Sequence, residues 1–126
     1  PLNDESVDAV TIAFGIRNVS NYQKALLEMY RVLKPEGTIA ILEFSLPTFS
    51  LVRTAYLFYF RYLLPFVGGI ISGNSYAYSY LNRSVESFLN EKQFKKVLFN
   101  SGFPQCRTIK LTYGIASIYI AKKPRD

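Results

Sequence analysis

The chain has 126 residues, 49% apolar and 19% charged, a globular rather than a disordered composition. With no histidine and one cysteine, Cys106, it lacks the usual ligand sets for zinc, iron or copper, so no metal is expected, and it can form neither an internal disulfide nor a Ser-His-Asp or Cys-His catalytic set. Fifteen Lys and Arg against nine Asp and Glu give a net charge of +6, which suits nucleic acid, an anionic membrane surface or an anionic ligand, but there is no basic run, RNP-type motif or zinc-finger motif, and no nucleic-acid partner is expected.

Ala9, Thr11 and Ala13 alternate with Val10, Ile12 and Phe14. Both sets are apolar or small, which predicts a strand buried on both faces and ended by Gly15. Ser20 and Gln23 have capping-box spacing. Tyr22, Ala25, Leu26, Met29, Tyr30 and Leu33 follow at helical intervals, predicting an amphipathic helix over 21–33. Lys34-Pro35-Glu36-Gly37 then turns the chain into a second buried strand, Thr38 to Phe44. Strand, helix and strand with short loops make a βαβ unit with a right-handed crossover.

Between Phe44 and Val85 the only charged residues are Arg53, Arg61 and Arg83. Phe49, Tyr56, Phe58, Tyr59, Phe60, Tyr62 and Phe66 crowd the same stretch. Residues 48–71 approach the apolarity of a membrane span, but Arg53, Arg61, Pro65 and Gly68-Gly69 interrupt them. That argues against a transmembrane helix and for one or two helices with a large aromatic face. Asn74 to Leu81 reads as a tyrosine-rich connection, and Ser84 as the cap of a short turn covering Val85 and Phe88. Asn90 and Gln93 repeat the capping spacing before a helix through Phe94, Val97 and Leu98, closed by Gly102. Arg107 to Thr112 and Ile115 to Lys122 flank Tyr113-Gly114 as an antiparallel hairpin. Lys122-Lys123 and Arg125 read as a solvated tail, and Cys106 as a structural strand residue. The order β-α-β-helices-α-β-β is an α/β layered domain with an antiparallel last strand.

Certain segments together resemble one family. They are Asp4-Glu5-Ser6-Val7-Asp8-Ala9-Val10, Phe14-Gly15-Ile16-Arg17-Asn18-Val19, Tyr30-Arg31-Val32-Leu33-Lys34-Pro35-x-Gly37 and Leu42-Glu43-Phe44-Ser45-x-Pro47. Tyr78-x-Tyr80-Leu81-x-x-Ser84, Gly102-Phe103 and Leu111-Thr112-x-Gly114 extend the match over nearly the whole chain. The pattern is similar to the ubiquinone/menaquinone biosynthesis C-methyltransferases, which are class I enzymes that use S-adenosylmethionine. Lys-Pro-x-Gly and Gly-Phe are common to many class I methyltransferases. Phe-Gly-x-Arg-Asn followed by Leu-Glu-Phe-Ser-x-Pro is specific to the quinone branch. In that family a glycine-rich loop and an acidic residue that hold the cofactor precede the matched region. The chain, which opens Pro-Leu-Asn-Asp, therefore resembles a C-terminal half. Residues 1–126 would form one partial domain, contributing the later strands of a seven-stranded Rossmann-like sheet, with 48–83 as an aromatic helical insert or lid.

The resemblance implies C-methylation of a ring carbon of a prenylated quinol, with S-adenosylmethionine as methyl donor, by a cytoplasmic enzyme working at or near the membrane. Arg17 and Asn18, at the carboxyl rim of the first strand, would be the catalytic pair, an arginine there binding a phenolate or polarising a water. The alternative for Arg17 is a structural pairing with Glu43. Ala13, Phe14 and Gly15 would line the cofactor, Ala13 standing where many relatives carry a serine. Glu43 and Ser45 at the second strand end, with Tyr78 and Tyr80, would meet the substrate. Glu36 stands where relatives usually have glycine. The fragment alone would be inactive, and its first strand would offer an open edge for a homo-oligomer. A second reading stays open, a non-catalytic module that binds a membrane surface or a partner through its aromatic segment.

Overall fold

In the computed structural model, which describes residues 1–125, four strands form one sheet in the order β1-β2-β4-β3. β1 (Val7–Ala13) and β2 (Leu33–Phe44) are parallel and joined by α1 (Tyr22–Val32), as the βαβ pattern requires. β3 (Cys106–Leu111) and β4 (Ala116–Lys122) make the antiparallel hairpin, and β4 lies between β3 and β2, antiparallel to both. The main core forms where Ile39 and Ile41 of β2 and Tyr119 and Ala121 of β4 meet Leu26 of α1 and Phe94 and Leu98 of α5 (Glu91–Asn100). The Asn90–Gln93 capping box that opens α5 is present in both directions.

Several local expectations need correction. α1 is capped by Asn21, whose side chain accepts from the Lys24 N–H, and not by Ser20. β1 is an edge strand, and α1 and α5 pack on the other face of the sheet, so Ala9, Thr11 and Ala13 are exposed and the strand is not buried on both sides. The ladder pairs Val7 with Leu33 and Ala9 with Thr38, so Lys34–Gly37 loops out between them. Lys123 is buried rather than solvated. Its ammonium donates to the Leu33 carbonyl (2.9 Å) and Glu5 (3.0 Å) and sits over the Tyr30 ring. Its stem packs while its charge stays paired, an option long basic side chains have that composition does not reveal.

The aromatic stretch is helical, as expected, while the segment after it is not the connection it was read as. Ser50–Ser72 is one continuous 23-residue helix, long and apolar enough to cross a membrane by length and composition. It comprises α2 (Ser50–Phe58), a π-helical turn (Tyr59–Leu63) and α3 (Leu64–Ser72). Neither the arginines nor Pro65 break it. A proline inside a helix removes one N–H and crowds the carbonyl four residues back. Here the wider π turn lies just before Pro65 and absorbs both effects. Asn74 to Leu81 is not a connection but most of α4 (Ser75–Ser87), capped by the Asn74 side chain accepting from the Ala77 N–H (3.1 Å). Ser84 therefore sits inside a helix. A second, smaller core joins these helices to the end of β2 through Tyr56, Phe60 and Val85, with Phe44, Leu46 and Leu81 packed on it. α3 and α4 approach closely because position 68 has no side chain. A Cβ on Gly68 would lie 2.5 Å from the Tyr78 ring.

Glu36 occupies a turn position that favours glycine. Its φ is 62°, in the left-handed region, where a side chain costs about 1–2 kcal/mol. Its ion pair with Arg125 is exposed and adds little. Glu36→Gly should therefore raise stability by about 0.5–1 kcal/mol, read as a higher urea midpoint at unchanged slope.

Candidate active site

The site is built at the carboxyl end of β1 and β2. After β1, Phe14 takes a left-handed conformation (φ 53°), and a short 3-10 turn, Ile16–Asn18, carries Arg17 over the strand ends. Glu43, the penultimate residue of β2, is completely buried beneath it. Arg17 Nη1 donates to Glu43 Oε1 (2.8 Å) and to the Phe14 carbonyl (2.5 Å), and Nε donates to the Ser84 hydroxyl of α4 (3.2 Å). The guanidinium also lies over the Phe44 ring, 5.4 Å from its centroid. Glu43 Oε1 additionally accepts from the Phe44 N–H, and Oε2 from the Arg17 N–H. Both carboxylate oxygens are thus occupied by fixed donors. Glu43 is the fully buried counter-ion of Arg17.

A guanidinium has five N–H groups. Three of those of Arg17 are used, and Nη2 has no partner among the described residues. Tyr56 shares this feature. Its hydroxyl is buried with no hydrogen-bond partner, and burial pushes its pKa up to about 12, with the Arg17 cation pulling the other way. It is a neutral phenol at physiological pH, able to donate. Phe14, Phe44, Phe60 and Tyr56 form a continuous chain of ring contacts at 4.5, 6.4 and 4.5 Å, running from the rim into the helices.

The other expected residues divide. Tyr80 donates to Asn18 Oδ1 (3.1 Å), which ties α4 to the rim and leaves the Asn18 amide NH2 as a donor. Tyr78, two residues earlier, points away to Gly68 and serves the helix–helix contact. Ser45 is turned to the hairpin, donating to the Gly114 carbonyl (2.6 Å) and meeting the Ser117 hydroxyl (3.0 Å). Ala13 and Phe14 are exposed at the rim and Gly15 begins the 3-10 turn. Cys106 is half-buried, and burial raises its thiol pKa, which disfavours the thiolate. Tyr56 and Ser84 are the site residues that sequence reasoning did not single out. The signal for Ser84 was the helical spacing of Ala77, Leu81 and Val85, which places Tyr80 and Ser84 one turn apart.

The model of the ubiE/COQ5 methyltransferase family matches residues 1–123. The chain belongs to this family. It is 49% identical to the ubiquinone/menaquinone biosynthesis C-methyltransferase UbiE of Geotalea daltonii, over 98% of this chain and 52% of that protein. It is 46% identical to the demethylmenaquinone methyltransferase of Thermus thermophilus, over 98% of this chain and 56% of that one. It therefore spans about half the length of the curated relatives it matches. The fold is also that of part of a SAM-dependent methyltransferase from Aquifex aeolicus, with a TM-score of 0.59 at 19% identity, covering 98% of this chain and 49% of that one. The sheet is thus part of a Rossmann-like methyltransferase sheet, as the resemblance implied.

Removing one member of a buried ion pair leaves the other charged and unpaired, a loss of about 3–5 kcal/mol. Glu43→Ala should lower stability by about 3 kcal/mol in urea titration. The Arg17→Ala, Glu43→Ala double variant should lose less than the sum of the two singles.

Proposed function

We propose that the chain carries the substrate side of an S-adenosylmethionine-dependent C-methyltransferase acting on a prenylated quinol. Family membership supports the reaction class. The observation that carries the reading is Arg17, fixed at the strand rim by Glu43, Phe14 and Ser84 with Nη2 left over. S-adenosylmethionine would supply the methyl group. The residues present do not make a seat for it. The adjacent glycines Gly68 and Gly69 lie inside α3 under Tyr78 and Ser75, and Glu43 is committed to Arg17. Only Ala13, Phe14 and Gly15, at the strand rim, remain among the described residues as contacts for it. In this reading residues 1–126 form one partial domain, with the helices of 48–83 as its lid.

On the substrate side the chemistry is electrostatic. A quinol ring is nucleophilic at carbon, and more so as its hydroxyl loses a proton. Arg17 Nη2 donates to the developing phenolate, and the neutral Tyr56 hydroxyl is a second donor within the aromatic chain. Asn18, held by Tyr80, offers its NH2 to the ring's other oxygen. Glu43 is a positioning residue, since it aims Arg17 and touches no substrate. Packing by Phe14, Phe44 and Phe60 would exclude water from the ring.

In a chain extended to the length of its relatives, Arg17→Ala should cut kcat by about 100-fold or more while changing cofactor affinity little, and Tyr56→Phe by about tenfold. Equal losses in kcat and cofactor affinity for Arg17→Ala would make Arg17 purely structural. The 126-residue chain alone should show no S-adenosylmethionine binding in calorimetry. Micromolar binding would mean that the rim residues suffice as a seat.

A further inference from the structure

The helix Ser50–Ser72 has two distinct sides. Through the π turn, residues four apart stay in line, because the wider turn takes up the usual drift of an α-helix. Tyr56, Phe60, Leu64 and Gly68 form the line packed against α4 and the end of β2. Phe58, Tyr62, Phe66 and Ile70 form another line, exposed at 62, 63, 68 and 70%, and Leu63 and Ile71 lie beside it, also exposed. No charge interrupts this surface. Arg53 and Arg61 share the line along its other border. Soluble proteins rarely expose so long a contiguous apolar strip without a use for it.

We propose that this face lies flat in the interface of an anionic bilayer. The occupant follows from charge and chemistry. The segment from Ser45 to Val85 holds Arg53, Arg61 and Arg83 and no acidic residue, within a chain of net charge +6. Arg53 and Arg83 form no ion pair among the described residues, while Arg61 is held by Glu86. An apolar strip bordered by arginines is the pattern of an interfacial helix, the long basic stems lying along the acyl boundary while their heads meet lipid phosphates. The Tyr59 and Tyr62 rings and hydroxyls suit the same wet–dry boundary. The helix meets the length and apolarity of a span, but its opposite side is fastened to protein through Tyr56 and Phe60, so it lies along the membrane rather than across it. The inference stands on this face alone and does not use the proposed chemistry.

Flotation with vesicles of phosphatidylcholine and phosphatidylglycerol in equal parts tests it. The protein should float with them and bind neutral phosphatidylcholine vesicles about tenfold more weakly. A triple variant, Phe58→Ser, Phe66→Ser and Ile70→Ser, should lose at least about 100-fold in lipid affinity. Its far-UV circular dichroism and thermal midpoint should be unchanged, because all three side chains are already exposed. Arg53→Gln should narrow the difference between anionic and neutral vesicles while keeping the fold. Failure of the parent protein to float would overturn the proposal, as would a triple variant that floats equally well. So would a parent dimer in sedimentation that the triple variant dissociates without any vesicle binding, since the face would then belong to a second copy.

Discussion

The Arg17–Glu43 pair is the constraint around which the rest is arranged. Glu43 is wholly buried, and its charge is tolerated because the Arg17 cation and two backbone N–H groups surround it. That requirement shapes the 3-10 turn after β1, since the turn must bring both the Arg17 side chain and its own N–H onto one carboxylate. Arg17 in turn reaches the Phe14 carbonyl and the Ser84 hydroxyl. One ion pair thus connects the two parallel strand ends to α4, whose Ser84 lies 67 residues after Arg17.

The helical segment is attached to the sheet at few points, and each has a separate physical basis. Ser84 and Tyr80 of α4 give directional polar contacts to Arg17 and Asn18. Tyr56, Phe60 and Val85 give non-directional apolar contact with Phe44 and Leu46. The first set fixes orientation and the second supplies burial. Because apolar contact alone permits several arrangements of similar energy, the polar contacts select one.

Much of the frame was legible in the residues. Alternating small and apolar positions marked β1, the apolar run from Thr38 to Phe44 after a turn marked β2, Asn90 with Gln93 marked the start of α5, and the short Tyr113-Gly114 connection required a hairpin. Tyr80 of α4 reaches Asn18, the neighbour of Arg17, across sixty-two residues. What escaped were features decided by context. Pro65 reads as a breaker unless a π turn precedes it. Lys123 reads as solvent-facing unless Glu5 and the Leu33 carbonyl are brought to it from elsewhere in the sequence. α4 was hidden because its tyrosines suggested a loop, while its Asn74 cap and the Ala77, Leu81, Val85 spacing carried the true signal. Tyr78 and Tyr80 share one motif, yet a helix sends side chains two apart in opposite directions, so they serve different contacts.

The distribution of ion pairs divides the molecule by ionic strength. Those linking Arg31 to Asp4 and Glu28, Lys34 to Asp8 and Arg125 to Glu36 are solvent-exposed, so mobile ions screen them over roughly 10 Å or less at physiological salt. Arg17 and Glu43 are shielded by the protein, with side chains 9% and 0% exposed. Added salt therefore loosens the surface pairs around the Lys34–Gly37 turn and leaves the strand rim in register. The molecule keeps its most exacting electrostatic geometry where the surrounding electrolyte cannot reach it.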